Sequence, residues 1–132
     1  METTTKKYIK LQDLEVYKLS RELSKIGWEI YDNLDWQTKK ILGDQFISAT
    51  DSFGANIAEG YSRYHFLDRV KFLYNARGSL AEASNRRLEL LHERKKITEE
   101  KFNAYKHAAE RASIKHQNFI SAIYRAKDNK TQ

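Results

Sequence analysis

Between residues 13 and 34 the apolar side chains fall at Val16, Leu19, Leu23, Ile26, Ile30 and Leu34, separated by 3, 4, 3, 4 and 4 positions. Steps of three and four return to one face of a helix at 3.6 residues per turn, whereas a strand requires steps of two. The rhythm recurs three more times. Leu42, Phe46, Ala49, Phe53 and Ile57 form a second seam, Phe66, Val70, Leu73, Leu80, Leu88 and Leu91 a third, and Phe102, Tyr105, Ala109, Ala112, His116, Phe119 and Ile123 a fourth. No proline and only five glycines occur in 132 residues, so the punctuation of sandwiches and barrels is missing. The pattern predicts an all-α chain, an up-down-up-down antiparallel four-helix bundle with short links.

Local signals place the boundaries. Asp13 is expected to cap a first helix reaching Leu34, and Asp35 a second running from about Thr38 to Glu59. Gly60 suits the left-handed residue that often ends a helix. A third helix is expected over residues 65–93. Thr98, with Glu100 and Lys101 in the turn that follows, is expected to cap a fourth reaching about Ala126. Residues 1–12 then read as a flexible tail, 13–126 as the bundle and 127–132 as a disordered end.

Several chemistries lose their residues at once. Without cysteine there are no disulfides, no thiolate nucleophile and no Cys-based zinc site. No apolar leader follows Met1 and no apolar run reaches about 18 residues, so the expected setting is cytoplasmic, with no membrane partner. A carboxylate-bridged di-iron bundle needs two Glu-x-x-His motifs. Glu89 and His92 make one, but His65, His107 and His116 are preceded at the third position by Ser62, Ala104 and Ser113. His92 reads instead as a helix C-terminal residue favoured by the dipole, and His116 as an interior histidine. Phosphate-binding loops and nucleophile elbows are also missing. The expectation is a non-enzymatic protein that needs neither cofactor nor metal.

The string SFGANIAEGYSR, residues 52–63, sets Gly54, Asn56, Glu59 and Gly60 around the apolar pair Phe53 and Ile57. Small residues there permit close approach of a neighbouring helix. Asn56 and Glu59 need polar partners if they are buried. In an antiparallel hairpin turning near Ser62, Arg63 or Arg69 is the expected mate of Glu59, with Arg77 farther up, nearer Asp44 and Asp51.

Charge is uneven. Residues 1–59 hold 8 Lys/Arg against 10 Asp/Glu, residues 60–132 hold 16 against 8, and the chain carries +6 overall. Such a half can simply solvate helix exteriors, or it can meet an anionic partner such as RNA or DNA. The candidate nucleic-acid-binding residues are Arg63, Arg69, Arg86, Arg87, Arg94, Lys95, Lys96 and Lys101. Leu14, Tyr17, Trp28 and Trp36 lie off the first seam and are the candidate oligomer interface.

Three stretches, DLEVYKLSRELSKIGWEIYDNL, GDQFISATDSFGANIAEGYSR and KFLYNARGSLAEA, resemble the 23S ribosomal-RNA intervening-sequence proteins. The likeness runs over about residues 13–125. Its specific elements are Asn56-Ile57-Ala58-Glu59-Gly60 with Arg63, and Ala76-Arg77-Gly78-Ser79-Leu80-Ala81-Glu82, which mark Asn56, Glu59, Gly60, Arg77, Gly78 and Ser79 as a structural motif. The family usually carries a proline ahead of its second helix and another just before NIAEG, where this chain has Trp36 and Gly54. Its arginine in the middle of helix two is replaced by Ile47-Ser48. The resemblance implies a small bacterial bundle. It extends to the accessory variability protein of diversity-generating retroelements, which implies a homopentamer that binds nucleic acid and partners a reverse transcriptase. A protein-interaction adaptor or scaffold for such an enzyme is the alternative reading.

Overall fold

The computed structural model describes residues 9–130, all helix, turn or link, with no strand among them. A 3₁₀ turn, Leu11–Asp13, leads into helix α1, Glu15–Asp32. Helix α2 spans residues 36–62, α3 residues 66–93, and α4 is Glu99–Lys130. Links of three to five residues force neighbouring helices antiparallel, and the bundle of the sequence expectation results. None of the described helices is long and apolar enough to cross a membrane.

Two expected caps form. The Asp35 carboxylate accepts from the Thr38 backbone N–H at 2.9 Å and from its hydroxyl at 3.0 Å. These bonds hold the Asp35 carboxyl below its ordinary value. They start α2 at Trp36, two residues earlier than expected, with Trp36 in the first helical position. Thr98 Oγ1 accepts from Lys101 N at 3.1 Å, orienting the start of α4.

Three boundaries differ from expectation. Asp13 lies in the 3₁₀ turn and caps nothing; Leu14 holds the cap position of α1 without a side-chain bond. Gly60 is not left-handed. It lies within α2, which continues to Ser62 and stops where Arg63 turns extended. The positive φ that ends a helix belongs instead to Lys95, at 58°. There Lys96 N donates to Leu91 O at 2.9 Å and Lys95 N to His92 O at 3.0 Å, the paired bonds of a Schellman ending for α3. Finally, α4 runs past Ala126 to Lys130, since no glycine or proline follows to stop it. Residues 1–8 of the expected N-terminal tail, and residues 131–132, lie outside the described region.

The core follows the seams. Val16, Leu19, Leu23, Ile30, Phe46, Phe53, Ile57, Leu73, Ala76, Leu80, Leu88, Leu91, Tyr105 and Ala112 are buried. Large apolar side chains buried this fully contribute about 1.5–3 kcal/mol each. The α2 seam changes phase midway, where the buried positions step from Thr38 to Gly43. A step of five leaves the buried face of an α-helix, and there the backbone widens into a π turn, Lys39–Gly43, which brings the later residues back to the core. A second π turn, Glu82–Arg87, lies in α3, where Ala83, Ser84 and Leu88 are buried. Along α2, Ile47 and Thr50 are buried, while Leu42 and Ala49 of the expected seam are only half-buried.

Glycines set the closest approaches. A Cβ on Gly60 would meet the Arg69 carbonyl oxygen at 3.0 Å and Leu73 Cδ2 at 3.2 Å, so α2 and α3 pack almost backbone to backbone. A Cβ on Gly54 would meet Ser20 Oγ of α1 at 2.7 Å. A groove opens between α3 and α4.

Candidate nucleic-acid interface

The eight expected binding cations do not form one surface. Arg63 and Arg69 sit at the α2–α3 turn, Arg86 and Arg87 along α3, and Arg94, Lys95, Lys96 and Lys101 at the opposite end. Helix α3 separates the ends by roughly 40 Å at about 1.5 Å per residue. Many of these cations are already engaged. Arg63 pairs with Glu59 at 2.6 Å and lies over the Phe72 ring at 4.7 Å. Arg69 donates to the Arg63 carbonyl through Nε at 3.2 Å and Nη2 at 2.9 Å, fastening the turn. Arg87 pairs with Glu82 at 2.9 Å, Lys101 with Glu29 at 3.5 Å and Lys96 with Asp35 at 4.0 Å. Arg86, Arg94 and Lys95 are exposed.

The Lys96–Asp35 contact shows that the two links 33–35 and 94–98 share one end of the bundle. Residues 29–40 and 93–101 together hold six Lys/Arg and six Asp/Glu, so this end is electrically balanced. In the other half of the α3–α4 pair, residues 63–81 and 108–129 carry eight Lys/Arg against three Asp/Glu, with Arg63 paired to Glu59 and Arg111 to Glu22 of neighbouring helices.

That surface is also aromatic. Lys71, Tyr74 and Arg77, spaced i, i+3 on α3, are all exposed. The Arg77 guanidinium carbon sits 4.8 Å above the Tyr74 ring. On α4, Tyr124 places its hydroxyl 3.3 Å from that of Tyr74, and the bond holds the Tyr124 phenol above its ordinary value. Tyr124 also meets Phe66 edge to face at 5.1 Å, and Lys127 Nζ lies 4.7 Å over the same Phe66 ring. Next to this cluster the α3–α4 groove opens into a cleft of about 630 Å³. Arg77, Ser84, Asn85, Lys106, Glu110 and Ser113 supply its polar lining. Lys106 is committed to the Ser84 carbonyl and to Glu89, both at 2.7 Å.

Tyr74, Tyr124 and Lys127 are absent from the sequence-derived set. The i, i+3 repeats Lys71-Tyr74-Arg77 and Tyr124-Lys127 were readable, but only folding sets them side by side. Asn56 donates to the Ser52 carbonyl at 2.9 Å, and Glu59 takes Arg63, one of its two expected mates. Arg77 lies over the Tyr74 ring, while Asp44 accepts from Tyr31 at 2.5 Å and Asp51 from Ser24 and Trp28 at 2.6 and 2.9 Å. Gly78 faces open space, and Ser79 lines a shallow groove between α2 and α3 with Asp44, Ser48 and Glu82.

Leu14 and Tyr17 are half-buried against the molecule's own core. Trp28 is exposed at its edge but tied to Asp51. Trp36 is 74% exposed beneath Lys40, whose Nζ lies 5.4 Å from the ring. His92 stacks on Phe102 at 3.7 Å and bonds Glu99 at 2.9 Å, whereas Glu89 turns to Lys106. Among the described residues no three of His, Asp or Glu gather closely enough to hold a metal. His116 is buried; its Nε2–H donates to the Leu73 carbonyl at 2.7 Å, while Nδ1 has no partner.

No curated protein matches the chain significantly. Among solved structures, a crystal structure of a protein of unknown function from the S23 ribosomal protein family, from Bacteroides thetaiotaomicron, superposes with a TM-score of 0.74. At 23% identity it covers 81% of this chain and 96% of its own, and it shares the fold. The sequence profile of the 23S rRNA-intervening sequence proteins matches residues 12–118. On that match the chain belongs to the 23S rRNA-intervening sequence protein family.

Proposed function

We propose that this protein is a non-enzymatic, oligomeric bundle that binds nucleic acid through the basic side of the α3–α4 pair. The observation that carries the reading is the exposed set Lys71, Arg77 and Lys127 beside the exposed rings of Tyr74 and Tyr124. Lysine and arginine release counterions from phosphates, and tyrosine offers a face to unpaired bases. The family's name adds 23S rRNA as the natural first probe. Oligomerisation, a homopentamer by resemblance, is supported by the exposure of Trp36 together with Ile41, which is 62% exposed. Titration with a structured 23S-derived RNA and with single-stranded DNA, at roughly 50 and 200 mM salt, tests the binding. Affinity that falls steeply with salt is expected; no binding, or binding indifferent to salt, overturns the reading. Sedimentation giving a 15.6 kDa species removes the oligomer.

A protein-adaptor role, for instance beside a reverse transcriptase, draws on a different feature. Tyr64 and Leu67 stand 89% and 75% exposed at the α2–α3 turn, an apolar tip with no intramolecular cover. A nuclease-resistant, stoichiometric protein partner whose capture fails in Leu67→Asp is the result this reading expects.

A further inference from the structure

We infer that the α3–α4 groove takes an unpaired, single-stranded stretch of nucleic acid, with bases against Tyr74 and Tyr124 and phosphates on Lys71 and Lys127. The inference rests on the nucleic-acid reading above and narrows it to a site and a strand type. Two helices contribute matching rows: Lys71, Tyr74 and Arg77 from α3, Tyr124 and Lys127 from α4. The phenol hydroxyls of Tyr74 and Tyr124 bond to each other across the seam, which makes the two rings neighbours, and the residues stay 39% and 38% exposed. Arg77 already lies over Tyr74 at 4.8 Å, so an incoming base continues an existing stack of ring and guanidinium.

The adjoining cleft, about 630 Å³, has Ala81, Ser84 and Ser113 in its walls and Asn85 as an uncharged donor and acceptor for a base edge. Glu110 stands at the same cleft and repels phosphate. The strand therefore lays its backbone toward Lys71 and Lys127 and turns its bases toward the cleft. A duplex cannot use these features, because its bases are stacked on one another and it presents phosphates and groove edges only.

The test compares a labelled oligouridine of about a dozen nucleotides with an RNA duplex of equal length by fluorescence anisotropy. The proteins are wild type, the double variant Tyr74→Ala with Tyr124→Ala, its ring-preserving counterpart with phenylalanine at both positions, and Lys71→Glu with Lys127→Glu. Single-strand affinity is expected to fall about tenfold or more in the alanine pair and to survive in the phenylalanine pair. The glutamate pair is expected to lower affinity and flatten its salt dependence. If the alanine pair leaves single-strand affinity unchanged, or if the duplex binds wild type more tightly, the groove assignment is overturned while salt-dependent binding keeps the broader reading. If neither probe binds at low salt, the broader reading itself fails. If the alanine pair instead lowers the sedimentation mass, a second copy occupies the groove and the inference is overturned.

Discussion

The hydroxyls of Thr50 and Tyr105, 55 residues apart in sequence, lie 2.7 Å from each other in the buried centre of the bundle. They tie α2 to α4, and Phe46 packs on the Tyr105 ring at 5.2 Å. Burial pushes the Tyr105 phenol far above its ordinary range, so it stays protonated. Removing one hydroxyl strands the other away from water. Tyr105→Phe is expected to cost about 1–3 kcal/mol, and adding Thr50→Val to recover much of that loss, because an apolar pair strands nothing. Urea unfolding of the two single variants and the double variant measures the coupling.

Two glycines on the same hairpin should respond in opposite directions. Gly60→Ala drives a methyl toward the Arg69 carbonyl, a backbone atom that cannot swing aside, and is expected to lose about 1–3 kcal/mol. Gly78→Ala meets nothing within 4 Å in mid-helix and is expected to gain about 0.5–1 kcal/mol. Thermal melts of the pair decide it; equal effects would contradict the packing at Gly60.

His116 makes stability depend on pH. Burial, chiefly, and the nearby Arg77 charge lower its pKa from the ordinary 6.5, against the bond to Leu73. The folded state thus holds the neutral ring, and protonation would put a second N–H at Nδ1, where no acceptor waits. Stability from this group is present above about pH 6.5 and is lost as pH falls through the lowered folded value. Urea midpoints at about pH 7.5 and 5 should diverge in wild type, and the gap should shrink in His116→Gln, where no imidazole titrates.

Lys95 occupies a left-handed backbone position that glycine adopts at little cost. Lys95→Gly is therefore expected to stabilise the protein by about 0.5–1 kcal/mol. Lys95 sits at the charge-balanced end of the bundle, so oligouridine affinity should be unchanged. A large loss of affinity in this variant would move the binding surface to the α3–α4 turn.

Sequence alone determined whatever is settled within one or two helical turns. Steps of three and four gave four amphipathic helices without strands, Asp35 and Thr98 announced their caps, and Glu59 reached Arg63 because four residues are one turn. Tertiary structure decided the rest. Gly60 reads locally as a helix stop, but its purpose, the approach to the Arg69 carbonyl, exists only once α3 is in place. The π turn Lys39–Gly43 corrects a phase error that appears when the α2 seam must face the common core. Charge followed the same rule. A basic second half was plain in the sequence, yet antiparallel packing brought one cluster beside acids of the first link and left the excess beside Tyr74 and Tyr124. Periodicity within a helix is a local property of the chain, whereas the neighbours of an exposed face depend on how distant helices pair.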